Sequence, residues 1–519
     1  MSSQAKCPSR GGYEGWIIGE SSPERSIVLF SQGSKPRTGM YLLVETDEGC
    51  VLGVVERVFS GNLVIGDKVR DHEELEALTR YPDLRDRTYR YGVVQWITLL
   101  GPLLSRQTPL SPSMPPEPGR HVYRAPPGTL SLAFRGSGPE WVRLGRLVSD
   151  GGVEFSINVN KLGRHLAILA VTGGGKSNTV CVLAHRIVGQ LGGTVVIFDI
   201  HGEYAAAGEL VPGRTGVKEP KINPFSLSFP ELLRLARVPE NAHNQERILR
   251  EAWKALIKDY RNGTFQMKPG KDFLGHLAEY ARMNVPPGVK QDSLYGLLNR
   301  LDDIRDYYGG VLDLYAPSRL EHYIEPGKLN IIDLSSVDEF GADAVVSHYL
   351  RRLLEERKRW KTTRGARGYP VPVIAVVEEA HVLIPREEDT LTKYWSGRVA
   401  REGRKFGVGL VLVSQRPKNV DQDVLSQTNN KIILRIVEPQ DQRYVQAASE
   451  QLSEDLMRLL PSLNPGQAIV IGSMTRIPAL VQIDLCPART GGTDIDFRRE
   501  WEHYHENTGR DVLEEISTL

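Results

Sequence analysis

The feature that most restricts this 519-residue chain is an apolar run broken by glycines: His165-Leu-Ala-Ile-Leu-Ala170-Val-Thr-Gly-Gly-Gly-Lys176-Ser177, followed by a helix-like stretch. A buried strand must stop there and hand over to a helix within a few residues. Glycines let successive backbone N–H groups curl round a phosphate, and the helix N-terminus adds positive potential. Lys176 would neutralise the outer phosphates and Ser177 would hold Mg2+. Thr172, Gly173, Gly174, Gly175, Lys176 and Ser177 are therefore expected to bind a nucleotide. The usual first glycine of GxxxxGK[ST] is Ala170 here, but the cradling turn runs from Thr172 to Gly175 and does not depend on it.

A loop of this kind needs strands alternating with helices, and the chain supplies them from about residue 140. Strands are expected at residues 166–170, 194–199, 329–334, 373–377, 408–414 and 431–436. Continuous apolar strands between helices predict an α/β fold with a mostly parallel sheet covered on both faces. Between about 226 and 325 the strands stop, and residues 245–260, 272–283 and 292–307 carry apolar positions at helical spacing, which predicts a helical insertion. Residues 340–360 form another expected helix, strongly basic at its end. Upstream, residues 13–100 show short apolar stretches alternating with Gly, Asp and Ser turns, the pattern of a small β-barrel. Prolines are dense over 109–128, which predicts a linker or a long surface loop. The expected division is a barrel and linker over 1–140, a first core segment over 141–225, the helical insertion over 226–325, a second core segment over 326–485, and a polar C-terminal segment over 486–519.

Chemistry concentrates at the expected strand ends. Strand 373–377 runs into Glu378 and Glu379. Side chains alternate in direction at a strand end, so the two cannot share one job. Glu378 is assigned to Mg2+ and Glu379 to polarising an attacking water; Glu stands at the first position where Asp is commoner. Strand 408–414 ends in Gln415-Arg416-Pro417, a polar tip suited to sensing a γ-phosphate or orienting water. Arg398, Arg401, Arg404 and Lys405 lie on the segment joining these two strands. Arg401 and Arg404, three residues apart, share a helix face, and an arginine over a neighbour's γ-phosphate would be an arginine finger. Asp199 and His201, in Asp199-Ile-His-Gly-Glu-Tyr204, sit where ligands meet the carboxyl edge of a sheet. Each has an ordinary alternative: a solvated carboxylate pair, a loop cap, a basic helix face, a loop histidine.

The formal net charge is +1, so a nucleic-acid partner cannot be argued from overall charge and any basic surface must be local. Cys7, Cys50, Cys181 and Cys486 lie far apart, form no CxxC pair and suggest no disulfide framework, which fits a reducing compartment. The first fifteen residues are polar and Gly-rich rather than a signal peptide, and apolar runs are of strand length. A cytoplasmic protein without membrane segments is expected.

Thr172-Gly-Gly-Gly-Lys-Ser-Asn178, Asp199-x-His-Gly-Glu-Tyr204, Glu378-Glu-Ala-His381 and Ser414-Gln-Arg-Pro417 together resemble the HerA family, the hexameric DNA helicases and translocases of the HerA–FtsK group. The match covers most of the chain, and the N-terminal β region resembles the barrel that family shares with rotary ATP synthase subunits. The resemblance implies a RecA-like P-loop ATPase core and a homohexameric ring with ATP and Mg2+ between protomers. It also implies DNA in the central channel, a NurA-type partner nuclease and a role in DNA end resection during double-strand break repair, mostly in archaea. Lys176 and Ser177 match the Walker A pair, with Asn178 extending the loop; Glu379 matches the catalytic Walker B glutamate, Gln415 the sensor glutamine and Arg404 the trans-acting finger. Arg164 matches another arginine near the nucleotide, Arg435 a further sensor, and residues 486–519 an arm reaching toward a neighbouring subunit. In a ring, six copies of Lys393 (within 391–395) or Lys418 (within 416–420) would give a near-neutral chain a strong field in the pore. Other functions in view are an FtsK-like DNA pump, an ATP-gated scaffold that activates a nuclease, and, from the barrel alone, a rotary ATPase subunit.

Overall fold

Six strands with inward-facing apolar positions close on themselves at the N-terminal end: β1 (Tyr13–Ser21), β2 (Arg25–Phe30), β3 (Tyr41–Thr46), β4 (Gly49–Asn62), β5 (Thr88–Leu99) and β6 (His121–Arg124). Their order in the barrel is β1-β2-β5-β4-β3-β6, with β6 pairing back onto β1. Alternation decides which residues fill it: Ile17, Val28, Leu42, Val51, Val55, Val94 and Val122 are buried inside. The structure, a computed structural model, describes residues 7, 12–65, 71–80, 87–206, 209–239, 241–308, 310–488, 497–499 and 501.

The proline-dense segment 109–128 is more than the expected linker or loop. It contains β6, which pairs with both β1 and β3 and completes the closure. The four residues of β6 carry no proline, so their N–H groups remain available, and Val122 turns into the barrel.

The rest of the chain builds one eleven-stranded sheet from β7 (Trp141–Leu147), β8 (Glu154–Asn158), β9 (Leu166–Leu169), β10 (Thr194–Asp199), β11 (Thr215–Lys218), β12 (Leu329–Asp333), β13 (Val373–Val377), β14 (Val408–Ser414), β15 (Asn430–Ile433), β16 (Gln467–Ile471) and β17 (Ala479–Ile483). The order is β11-β12-β10-β13-β14-β9-β15-β16-β17-β7-β8. It is parallel from β11 to β15 and antiparallel from β15 to β8. The sheet is therefore mixed and mostly parallel, with the expected strands at its centre and two hairpins added along one side.

Both faces of the centre are covered, as continuous apolar strands require. Val196, Phe198, Ala375, Val377, Leu410 and Leu412 face one core; Val195, Ile197, Val376, Val411 and Val413 face the other. The first core is roofed by Leu249, Trp253, Leu277, Leu297 and Leu301 from the helices His243–Asn262, Phe273–Met283 and Gln291–Tyr308, and by the helix Glu339–Thr362. Burying each such leucine contributes about 1.5–3 kcal/mol. The basic end of Glu339–Thr362 is partly used inside the protein: buried Arg351 pairs with Glu231, and Arg357 donates to the carbonyls of Phe406 and Tyr369. The barrel meets the core where Arg25 pairs with Glu56 and Asp455 and Ser453 donates to Glu56.

Two disulfides, Cys7–Cys50 and Cys181–Cys486, correct the expectation of unpaired cysteines. The second spans 305 positions of sequence, a distance over which spacing carries no signal. The fold makes the pairing by laying the segment after β17 against the helix Lys176–Ala184. Cysteine usage thus no longer argues for a reducing compartment. Among the described residues no helix is long and apolar enough to cross a membrane. Most of the expected arm at 486–519 lies outside the described residues.

Candidate active site

β9 ends at Leu169, and the chain turns through Ala170 to Gly175 into the helix Lys176–Ala184. Gly173 (φ +72°) and Gly175 (φ +106°) hold left-handed backbone, which glycine adopts without steric cost. Gly174 is constrained differently: a Cβ there would come within 2.9 Å of the Ala170 Cβ and 3.0 Å of the Val171 carbonyl oxygen. Ala170 is thus accommodated because the loop folds over its methyl group at a residue that has none. The helix starts on Gly175 with no side-chain cap, leaving its first N–H groups for an anion. Lys176 is half-buried, and among the described residues its ammonium makes no hydrogen bond or ion pair.

Behind this loop stands a cluster of acids. Ser177 Oγ donates to Glu203 Oε2 at 2.7 Å. Asp199, expected to meet the nucleotide, is wholly buried, and its carboxylate accepts the backbone N–H groups of Glu203, Tyr204 and Ala205 at 3.1, 2.9 and 2.9 Å. Its direct work is to fold the turn that presents Glu203 and Tyr204. The Tyr204 hydroxyl in turn donates to Glu378 Oε1 at 2.5 Å. Sequence reasoning misses Glu203 and Tyr204 as site residues; the signal that could have found them is their place just past a strand end, in His201-Gly-Glu-Tyr204.

Glu378 and Glu379 diverge, as strand alternation requires. Burial pushes the Glu378 carboxyl up to about 8; the negative charges of Asp199, Glu379 and Glu203 add to this, and the Tyr204 hydrogen bond only partly offsets it. Burial also pushes Glu379 upward, but its contact with His381 and the positive charges of His381, Lys176 and His201 outweigh burial and hold it below the ordinary carboxylate value. The neighbours are close: His381 Nδ1 is 3.1 Å from Glu379 Oε2, and His201 Nε2 is 3.8 Å from Oε1. Glu379 itself has left-handed backbone, φ +42° and ψ 49°. One carboxyl is thus held neutral and the other ionised, the separation that divides proton-holding from proton-accepting work.

Among the described residues no group of three or more His, Cys, Asp or Glu side chains is arranged to hold a metal unaided. Mg2+ with waters and phosphate oxygens needs only one or two protein oxygens. Ser177 Oγ beside Glu203 supplies that kind of donor set.

Gln415 Oε1 accepts a hydrogen bond from Thr172 Oγ1 at 2.6 Å, so the tip of β14 touches the phosphate loop. Arg435 lies at the same edge: its carbonyl accepts the Val171 N–H at 2.9 Å and its Nε donates to the Pro461 carbonyl at 3.1 Å. Asn178 turns away from the loop. Its Nδ2 donates to the Asp484 carbonyl and its Oδ1 accepts the Cys486 N–H, at 2.9 and 2.8 Å.

The remaining arginines sit elsewhere. The helix Leu391–Phe406 runs back from the carboxyl edge of the sheet to the start of β14, which places Arg401 and Arg404 near the amino edge. Arg164, just before β9, is at that edge too. Within one chain it stands at the opposite end of the strand that feeds the phosphate loop. Among the described residues none of these three side chains makes a hydrogen bond or ion pair, whereas Arg398 is paired with Glu402. Both lysines expected in a pore are engaged within the chain. Lys393 donates to the carbonyls of Arg386 and Glu388, and Lys418 pairs with Glu438.

Comparison with known proteins adds a family. The model for the central domain of helicase HerA matches residues 142–353, and that for the HerA-like C-terminal domain matches 328–488. The DNA double-strand break repair helicase HerA of Sulfolobus acidocaldarius is 39% identical over 500 residues, covering 95% of this chain and 97% of its own. A probable helicase of Methanocaldococcus jannaschii is 37% identical over 512 residues, 97% of this chain and 96% of its own. Among solved structures, the bacterial conjugative coupling protein TrwBΔN70 shares the fold at 14% identity and a TM-score of 0.50, covering 71% of this chain and 94% of that one.

Proposed function

Because the chain belongs to the HerA helicase family, we propose that it is an ATP-driven DNA helicase or translocase acting in double-strand break repair. The proposal extends to a ring of six copies with DNA in the channel, a NurA-type nuclease as partner, and a cytoplasmic setting. Its domains follow the division into barrel, two core segments, helical insertion and C-terminal arm.

One observation carries the hydrolytic reading: the phosphate loop, whose Lys176 makes no hydrogen bond or ion pair among the described residues, shares an edge with two carboxyls in different settings, Glu378 buried against the Tyr204 hydroxyl and pushed up, Glu379 beside His381 and held low. The N–H groups of Gly173 to Lys176 and the Lys176 ammonium would bind the β- and γ-phosphates. Bound with ATP, Mg2+ supplies charge neutralisation between those phosphates. Ser177, hydrogen-bonded to Glu203, would hold it; Glu378, accepting the Tyr204 hydroxyl, backs them through Tyr204 and Asp199. Glu379, ionised, accepts a proton from the attacking water, and Gln415, anchored on Thr172, orients that water. The three unpaired arginines at the amino edge cannot serve their own chain's phosphates, so Arg404, with Arg401 and Arg164 beside it, would act on the nucleotide of the next copy.

The test is steady-state ATP hydrolysis with and without DNA, alongside the native mass and strand displacement with and without the nuclease. DNA-stimulated hydrolysis abolished by Lys176→Ala or Glu379→Gln supports the reading. Hydrolysis that survives both substitutions sinks it.

A further inference from the structure

We propose that His381 is a positioning residue of the hydrolytic centre, fixing the Glu379 carboxylate and joining it to the strand end that carries Gln415. The proposal rests on Glu379 being the base of the reaction above.

Glu379 needs such a partner. Its left-handed backbone departs from the strand geometry that aims Glu378 at Tyr204, so the preceding strand does not set its side-chain direction. Its Oε2 is buried and meets no well-aligned donor; His381 Nδ1 lies 3.1 Å from it as an ion-pair contact. The other histidine, His201, is 3.8 Å from Oε1, and its side chain is 54% exposed against 12% for His381. His201 is thus the exposed neighbour and His381 the packed one.

His381 also reaches the next strand. Its Nδ1 lies 3.4 Å from Ser414 Oγ, the last residue of β14. Ser414 Oγ accepts the Arg416 N–H at 3.1 Å, which shapes the turn that sends Gln415 to Thr172. A continuous line of contacts therefore runs Thr172–Gln415–Ser414–His381–Glu379. It holds the base and the water-orienting amide in one frame, with the phosphate loop as its other end. With His381 beside Oε2, Oε1 on the more open His201 side is left to take the proton of water. Displacing a reacting group by an ångström is enough to slow a reaction steeply, so the work of His381 appears in turnover and not in binding.

The test uses the full chain and separates position from bulk. An asparagine amide nitrogen falls near the place of a histidine Nδ1; a glutamine amide reaches toward the place of Nε2. His381→Ala is expected to lower kcat for ATP by about 10- to 100-fold with KM within about twofold. His381→Asn recovers most of the loss, and His381→Gln does not. Equal kcat in the Asn and Gln variants, or wild-type turnover in the Ala variant, overturns the proposal; if the Ala variant does not fold, the Asn–Gln comparison decides. Failure of the underlying reading looks different: wild type and Glu379→Gln would then hydrolyse ATP equally.

Discussion

The two edges of the central sheet are built on opposite plans. At the carboxyl edge the polar side chains are paired with one another: Ser177 with Glu203, Tyr204 with Glu378, His381 with Glu379, Thr172 with Gln415. At the amino edge Arg164, Arg401 and Arg404 are left without one among the described residues. A site complete in one chain would have its cations beside its phosphates. Here Lys176, Arg435, His201 and His381 are at the phosphate-loop edge, while Arg164, Arg401 and Arg404 are at the other. The difference teaches that the phosphate loop and the arginines without partners lie on two surfaces, which the proposed ring would bring together.

Substitution of Arg404 tests that division most severely. Arg404→Ala should lower phosphate release about 10³-fold. Mixing Arg404→Ala with Lys176→Ala chains should restore part of it, because some interfaces then hold both intact halves; no recovery on mixing would break the comparison. Glu379→Gln should lower kcat by about 10²- to 10³-fold, with nucleotide still bound in a filter assay, and no mixing with Arg404→Ala should exceed the activity of that mixture's intact interfaces.

Glu378 sharpens the contrast through pH. Its carboxyl is raised from 4.5 to about 8 in the fold, so the folded chain keeps a proton that the unfolded chain releases. The stability that comes with neutral Glu378 is complete below pH 4.5 and declines as pH rises toward 8, by about 1.4 kcal/mol per pH unit inside that window. Urea melts of the nucleotide-free protein should show this slope, and Glu378→Gln should flatten it. The smallest effect belongs to the lysines expected in the pore. Lys393→Ala and Lys418→Ala should change DNA affinity by less than about twofold, since an ammonium already engaged within the chain offers little more; a larger loss in fluorescence anisotropy would return them to the DNA path.

What is legible in the sequence is whatever depends on local period. β10, β13 and β14 fall on the residues expected because each is a continuous apolar run between turns, buried on both faces. The added hairpins β7–β8 and β16–β17 are not among the expected strands; β7 and β17 mix buried with half-buried or exposed positions, whereas the apolar run of β16 is as regular as those of the expected strands. The phosphate loop and the carboxylate pair can be read from their strand-to-turn setting. What the second carboxyl contacts cannot, because His381 and His201 come from separate turns and Glu379 departs from strand geometry. Tyr204 and Glu203 carry no spacing rule that ties them to Glu378 and Ser177 across the sheet. The edge on which each arginine lies follows only from chain direction, which the sheet order supplies.

The Cys181–Cys486 bond has a mechanical consequence. Beside it, Asn178 grips residues 484 and 486, and Arg143 and Arg186 hold Asp484. Tension on the chain beyond Cys486 therefore does not peel β17 from its neighbours. It passes through the sulfur bridge into the helix that begins at the phosphate loop, so a load on that end is delivered to the nucleotide's own support and bypasses the sheet.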